Sequence, residues 1–282
     1  MRELFACVIA SVAVFVLRAG QPGSRDVLFA VSVDEKGAYS VQPVVELQNG
    51  RAFEPRVVAS DTGCRDFAPQ WSAAGRCYTV LFGGERVGRA TVSGPSQASV
   101  KLTRAIRLAP RASGRRGDTA LATSSPSLGR EMGTRRPPEA VERAAAIEFA
   151  RAEFVRRSVP ARLLSRIQVV QLTASDLNRD GRQDLLGVAR IDPVNDDGPV
   201  RTLFFVAEGD ASGYRPALVR YHSGSGETYG LESLVDHLDL DGDGVDEILT
   251  VADGWEWFTY RVYSRRGGGW VRTYEGYGCQ GA

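Results

Sequence analysis

Lysine is almost missing from this chain: Lys36 and Lys101 are the only two, and arginine makes up the rest of the 35 basic residues. Histidine is as scarce, with only His222 and His237. There is no HExxH, no GxSxG, no phosphate-binding glycine loop and no Cys-His signature, so the metalloprotease, serine-hydrolase and nucleotide-hydrolase readings have no support. Paired Cys-x-x-Cys spacings are absent too, which removes structural zinc. Beyond the first twenty residues no apolar run approaches the ~20 residues that cross a bilayer as a helix.

What is present is ordinary in bulk and uneven in detail. Hydrophobic residues are 43% and charged residues 24% of 282, which fits one large globular domain or two modest ones and neither wholesale disorder nor a multi-span membrane protein. The net charge of +1 conceals a basic middle and an acidic end. Residues 101–136 hold nine basic residues against Asp118 and Glu131, whereas residues 161–282 hold 12 basic and 19 acidic ones. The apolar stretch Leu4–Leu17, between Arg2 and Arg18-Ala19-Gly20, has the length of a signal-peptide core. Residues 1–20 are therefore expected to be a signal peptide, and the protein to be secreted, periplasmic or held at the cell envelope, with no membrane span after its removal. In that compartment Cys64 and Cys77 are the natural disulfide pair, closing a ring with a stabilisation of roughly 3 kcal/mol. Two buried free thiols are the alternative. Cys279 is left over.

Residues 25–109 form a small β domain. Val27–Val31, Tyr78–Phe82 and the return strand Gly88–Val92 have strand length, with turns at Asn49-Gly50 and Gly83-Gly84. Residues 110–136, rich in Arg, Ser, Gly and Thr with few large apolar side chains, are expected to be a flexible basic linker. The linker has no aromatics to stack on bases, so nucleic acid is not the expected partner. Residues 137–160 form an amphipathic helix opened by Pro137-Pro138-Glu139. Acids lie near its start and arginines near its end, and Val141, Ala144, Ile147, Ala150 and Phe154 make its apolar stripe.

The informative part is residues 161–282, where a segment repeats. Asp176-Leu177-Asn178-Arg179-Asp180-Gly181-Arg182-Gln183-Asp184 recurs 63 residues later as Asp239-Leu240-Asp241-Gly242-Asp243-Gly244-Val245-Asp246-Glu247. Each copy has side-chain oxygens at positions 1, 3 and 5, glycine at 6 and a carboxylate at 9, followed by an apolar strand. A hard cation such as Ca²⁺ takes six to eight oxygens at about 2.3–2.6 Å, and a tight loop that turns alternate side chains inward supplies them. Position 7 can add its carbonyl, and without a counterion the carboxylates would repel one another. An EF-hand would need a glutamate at position 12 between helices, but Gly187 and Thr250 stand there and strands follow.

This pattern resembles the FG-GAP/VCBS repeats of calcium-binding β-propellers such as those of integrin α-chains, over roughly residues 167–278. The resemblance implies calcium ligands at Asp176, Asn178, Asp180, the Arg182 carbonyl and Asp184. In the second loop it implies Asp239, Asp241, Asp243, the Val245 carbonyl and Glu247. It also implies two structural Ca²⁺ ions and four-stranded antiparallel blades, with Ile167–Ala174 and Leu231–Leu238 as the strands that enter each loop. A propeller closes with four to eight blades and this chain offers two, so their apolar faces need a cover. The helix is the expected cover, with self-association through the open two-blade sheet as the other route.

The expected fold class is therefore mainly β with one long helix (α+β): a small N-terminal β domain, a linker, the helix, then two propeller-like blades. His237 is expected to face outward at a strand end, with an outer-shell role at the second acidic loop as the alternative, and His222 to lie on a loop surface. With the obvious acids committed to the cation loops, the expected function is binding or adhesion, toward a protein or glycan, and not catalysis. The alternative is a secreted hydrolase or lyase using Asp or Glu outside the loops.

Overall fold

The structure, a computed structural model, describes residues 26–33, 36–53, 55, 71, 73–95, 104–108, 119–194, 198–225, 230–253 and 258–277. The expected leader, Cys64 and Cys279 lie outside the described residues. Cys77 is exposed and free.

The N-terminal strands close on themselves. They are β1 (Asp26–Val33), β2 (Tyr39–Gln48), β3 (Arg51–Phe53), β4 (Cys77–Phe82), β5 (Glu85–Pro95), β6 (Arg104–Leu108) and β7 (Ala120–Thr123). Their order is β1-β7-β4-β5-β6-β2, and β2 pairs back onto β1, so six antiparallel strands make a barrel with β3 attached to β2. Side chains alternate along a strand, so Val27, Phe29 and Val31 fill the interior with Tyr78, Val80 and Ile106, while Leu28 and Ala30 point out into a second apolar layer. The unbroken apolar run in β1 follows from burial of both its faces. Asn49 and Gly50 both have positive φ (51° and 71°), the geometry of a two-residue type I′ hairpin, and they join β2 to β3.

The expectation of a flexible linker over 110–136 is corrected here for the part described. β7 inserts between β1 and β4 with all four residues buried, and the barrel cannot close without it. Its residues, Ala120-Leu121-Ala122-Thr123, are too few and too small to stand out as an apolar run, but two strand partners supply the hydrogen bonds and the core. The arginines that follow are paired, not solvated. The β domain therefore reaches at least to Thr123, beyond the expected boundary at 109.

Helix α1 (Ala140–Arg156) starts where the prolines place it, and the Glu142 carboxylate reaches back to the Glu139 N–H at 2.7 Å. Its buried face is Ala146, Phe149, Ala150, Glu153 and Phe154, while Val141 is 70% exposed. The expected stripe is thus half correct. Glu153 is buried, with the charged Arg156 guanidinium 2.9 Å from its carboxylate.

The two blades match the repeat. The first is β8 (Gln168–Ser175), β9 (Asp184–Ile191), β10 (Val200–Asp210) and β11 (Gly213–Gly224); the second is β12 (Leu231–Leu238), β13 (Glu247–Asp253), β14 (Phe258–Arg266) and β15 (Gly269–Tyr277). Each is an antiparallel meander. Position 9 of each loop starts the exit strand opposite the last residue of the entry strand, Ser175 with Asp184 and Leu238 with Glu247. The blades stack face to face over Leu186, Val188, Phe204, Val206, Ile248 and Trp270. Helix α1 covers the far face of the first blade, where Phe149 meets Phe205 with ring centroids 5.0 Å apart. The barrel wall covers the far face of the second, packing Leu28, Val45 and Leu121 on Leu249, Phe258, Tyr260 and Val262. The helix thus covers one blade as expected, and the β domain covers the other. Both outer faces of the pair are occupied within the chain, so closure into a ring is not needed to bury them.

Truncating Phe205 to Ala should lower unfolding free energy by about 3–5 kcal/mol, the range for a fully buried aromatic. Val141→Ala on the helix should change it by less than ~0.5 kcal/mol. Urea unfolding of the two variants checks both values, and a large loss at Val141 would contradict the burial described.

Candidate metal centre

The two acidic loops share one hydrogen-bonded frame. The N–H of position 2 donates to the carboxylate at position 9, Leu177 to Asp184 at 3.1 Å and Leu240 to Glu247 at 2.7 Å. The N–H of the position 6 glycine donates to position 1, Gly181 to Asp176 at 2.9 Å and Gly244 to Asp239 at 3.1 Å. Position 5 donates to position 3, Asp180 to Asn178 and Asp243 to Asp241. Position 7 donates to position 5, Arg182 to Asp180 and Val245 to Asp243. Gly181 and Gly244 take φ of +83° and +93°, a region that favours glycine, which is the physical reason for the residue at position 6. Position 4 is left-handed as well, with Gly242 at +81° and Arg179 at +59°. The spacing of the acids gave no hint of that second constraint.

The loops differ in how far their acids converge. Oxygens of Asp239, Asp241 and Glu247 all lie within 4.8 Å of one another. Two ligands each about 2.3–2.6 Å from one ion can be no more than about 5.2 Å apart, so these three fit a hard cation by distance and by donor type. Asp243 is not among them. Among the described residues, the carboxylates of Asp176, Asp180 and Asp184 do not gather to the same degree, and Asn178 contributes a neutral oxygen beside them. The Arg182 and Val245 N–H groups are used within the frame.

Burial acts on the closing acids. It pushes the Asp184 carboxyl up to about 6, against the N–H groups of Gly209 and Leu177 that favour its charge. Burial likewise raises Glu247 to about 7; the Leu240 N–H opposes the rise, and the charges of Asp241 and Asp243 add to it. A divalent cation would reverse both effects.

The second loop sits where three bodies meet. From the barrel, the β2–β3 turn presses on it so closely that a Cβ on Gly50 would lie 2.8 Å from Asp241 Cα. From the first loop, Arg179 Nη2 reaches Asp239 Oδ2 at 2.9 Å, and the Asp246 N–H donates to the Leu177 carbonyl at 2.8 Å. From its own blade, Arg266 Nη2 reaches Asp241 Oδ2 at 2.8 Å. A cleft of about 340 Å³ opens beside Asp239 and Asp241, bounded by Arg130, Arg179 and Leu128.

Beneath the loop lies an ionic core. Arg130 holds Asp246 with two bonds, Nη1 to Oδ1 at 2.6 Å and Nη2 to Oδ2 at 2.7 Å, and His237 Nδ1 lies 2.7 Å from Asp246 Oδ2. Asp246 and His237 are fully buried. Burial alone would raise the Asp246 carboxyl, yet His237 and Arg130 outweigh it and leave it below the usual carboxylate range. Next to it, Arg135 pairs with the buried Asp236 at 2.8 Å, and the Gly83 N–H donates to both Asp236 oxygens. His237 therefore does not face outward as expected: the barrel covers that strand end. His222 is exposed, but within β11 and not on a loop. The other buried acids named here are held too: Glu142 by Arg136, Glu153 by Arg156, Glu208 by Arg215 and Arg265, and Glu232 by Arg261, Tyr263 and Thr250.

Sequence reasoning missed Arg130, Arg135, Asp236 and Asp246. One signal was available: position 8 is Gln183 in the first loop and Asp246 in the second, an added acid inside an already acidic repeat.

Asp246→Ala, which strands Arg130 and His237, should cost about 3–5 kcal/mol in chemical unfolding, the range for breaking a buried ion pair. The raised carboxyls predict a pH effect of a definite sign. Between pH 4.5 and about 7 the folded, chelator-treated protein holds a proton on Glu247 that the unfolded chain releases, so stability should fall as pH rises through that window and level off above it. Asp246 acts oppositely, losing its contribution only as pH falls below 3.8. Melting temperatures from pH 4.5 to 7.5 in chelator test this, and a steady rise across the window would contradict it. Compared whole, the chain matches no family model, no curated protein and no solved structure.

Proposed function

We propose that this chain is an exported calcium-binding protein in which Ca²⁺ is structural, and that it serves as a binding or adhesion module, or an envelope-associated one, presenting a rigid surface to a protein or glycan. The observation that carries this reading is the convergence of Asp239, Asp241 and Glu247 oxygens in a loop whose hydrogen-bonded frame occurs twice in the chain. Support also comes from the all-oxygen donor set, which suits a hard cation, and from the resemblance of the loops to FG-GAP/VCBS repeats. In the second loop Asp239, Asp241, Asp243, the Val245 carbonyl and Glu247 would hold the ion. In the first, Asp176, Asn178, Asp180, the Arg182 carbonyl and Asp184 would do so.

The ion's work is mechanical. It replaces carboxylate repulsion with shared coordination, and at the second loop it ties β12 to β13 where the barrel turn and the first loop also press. The side chains this chain contributes do not react; they fix the hairpins and, through them, the junction between the barrel and the blades.

Extracellular modules bind Ca²⁺ with dissociation constants of about 10⁻⁴–10⁻³ M. At 10 mM Ca²⁺, mass action at one such site adds about 1.4–2.7 kcal/mol, which is roughly 3–10 °C in melting temperature for a chain of this size. Calorimetric titration and melting in 10 mM Ca²⁺ against chelator measure both quantities. Asp241→Asn should remove the binding event of the second loop. No heat and no melting shift in the unmodified protein would overturn the calcium reading.

A further inference from the structure

We propose that Arg179, a residue of the first loop, is the built-in counterion of the second loop and sets how tightly that loop takes a divalent cation. This rests on the calcium reading above. Arg179 Nη2 lies 2.9 Å from Asp239 Oδ2 and 3.8 Å from Asp246 Oδ1. Its Nη1 lies 3.9 Å from where a Cβ on Gly244 would stand, so the guanidinium reaches across the position 1 carboxylate to the position 6 glycine of the other repeat. Asp239 is one of the three acids whose oxygens converge. The guanidinium therefore bonds the same carboxylate that a cation would use.

Charge explains why it is there. Asp246 is matched by Arg130, which leaves Asp239, Asp241, Asp243 and Glu247 as four acids on the second loop. Arg179 and Arg266 supply two positive charges against them, Arg266 at 2.8 Å from Asp241 and 3.8 Å from Asp243. With all four acids ionised, as cation binding requires, two negative charges remain, the amount one divalent cation would neutralise. The first loop has three acids and, among the described residues, no arginine paired with any of Asp176, Asp180 and Asp184. One frame thus occurs in two electrostatic states: the second loop has extra acids at positions 3 and 8 and the arginine Arg266 beside it, and the residue at position 4 adds a further difference. There the second loop has Gly242, whereas the first has Arg179 in a left-handed conformation that non-glycine residues seldom take.

Arg266 stays on its own blade. Of these two arginines Arg179 is the one that links the loops, beside the Asp246 N–H to Leu177 carbonyl bond, and a cation entering the second loop would contend with a side chain rooted in the first. A guanidinium at hydrogen-bond distance and a divalent ion compete for the charge of the same carboxylate, so the arginine offsets repulsion among the acids without the ion and lowers the net affinity for it.

The test is calcium titration by calorimetry of the full chain and of two variants, with Asp241→Asn identifying which binding event belongs to the second loop. Arg179→Gln keeps length and loses charge, and Arg179→Lys keeps charge. We expect Arg179→Gln to tighten second-loop binding about fivefold, the upper end of what a partly exposed ion pair contributes, while first-loop binding is unmoved and Arg179→Lys stays at the unmodified value. A second-loop event seen only in Arg179→Gln would support the proposal equally. If the unmodified protein binds two ions and Arg179→Gln leaves the second unchanged or weaker, Arg179 is structural: the proposal is overturned and the calcium reading stands. If neither protein binds Ca²⁺, both are overturned together.

Discussion

A carboxylate with no contact with water, that of Asp246, joins the three bodies of this molecule. Its side chain is held by Arg130, from the segment that follows β7 of the barrel, and by His237 on β12 of the second blade. Its backbone N–H donates to Leu177 of the first loop. A buried ion pair adds little by itself, because desolvation offsets its Coulomb energy. What it does impose is geometry: any arrangement that parts barrel from blades leaves a buried charge unmatched. Asp236 with Arg135 and the Gly83 N–H repeats the device one step along the same strand.

The apolar layers explain how two blades suffice. Strands β9 and β10 bury alternate residues on opposite sides, toward α1 and toward the second blade. Strands β13 and β14 do the same toward the first blade and toward the barrel. Helix, blade, blade and barrel wall form a stack whose two ends are amphipathic elements with a solvated or self-filled far side. Repeat architectures need such caps, and here the two caps are unrelated to the repeat and to each other.

The second loop lies at the edge of this stack, where the barrel turn at Gly50, the first loop and the β14–β15 end all reach it. That position separates two loops with one frame. The first binds its acids mostly to its own backbone N–H groups. The second is also crossed by Arg179 from the first loop and Arg266 from β14, and its acids lie closer together. Any ion there would act on the junction of the bodies and not on one hairpin alone.

Much of this was legible along the chain. Local rules of spacing and turn chemistry placed the strands around each loop, the Asn49-Gly50 hairpin, the helix start at Pro137-Pro138 and the glycine at position 6, because each is decided by neighbours within a few residues. The helix face was only half legible: Val141 has the right spacing but is exposed, and the charged Glu153 is buried beside Arg156. The segment 119–136 does not read as core because β7 is a run of only four residues, and its arginines look solvated until their carboxylates, more than a hundred residues away for Arg130 and Arg135, are brought beside them. The chain by itself determined that two acidic loops form and that each leads into an apolar strand. Only the tertiary structure decided which loop gathers its acids, which arginines neutralise them and where His237 lies, since charge pairing across 60 to 116 residues depends on how sheets stack and leaves no local period to read.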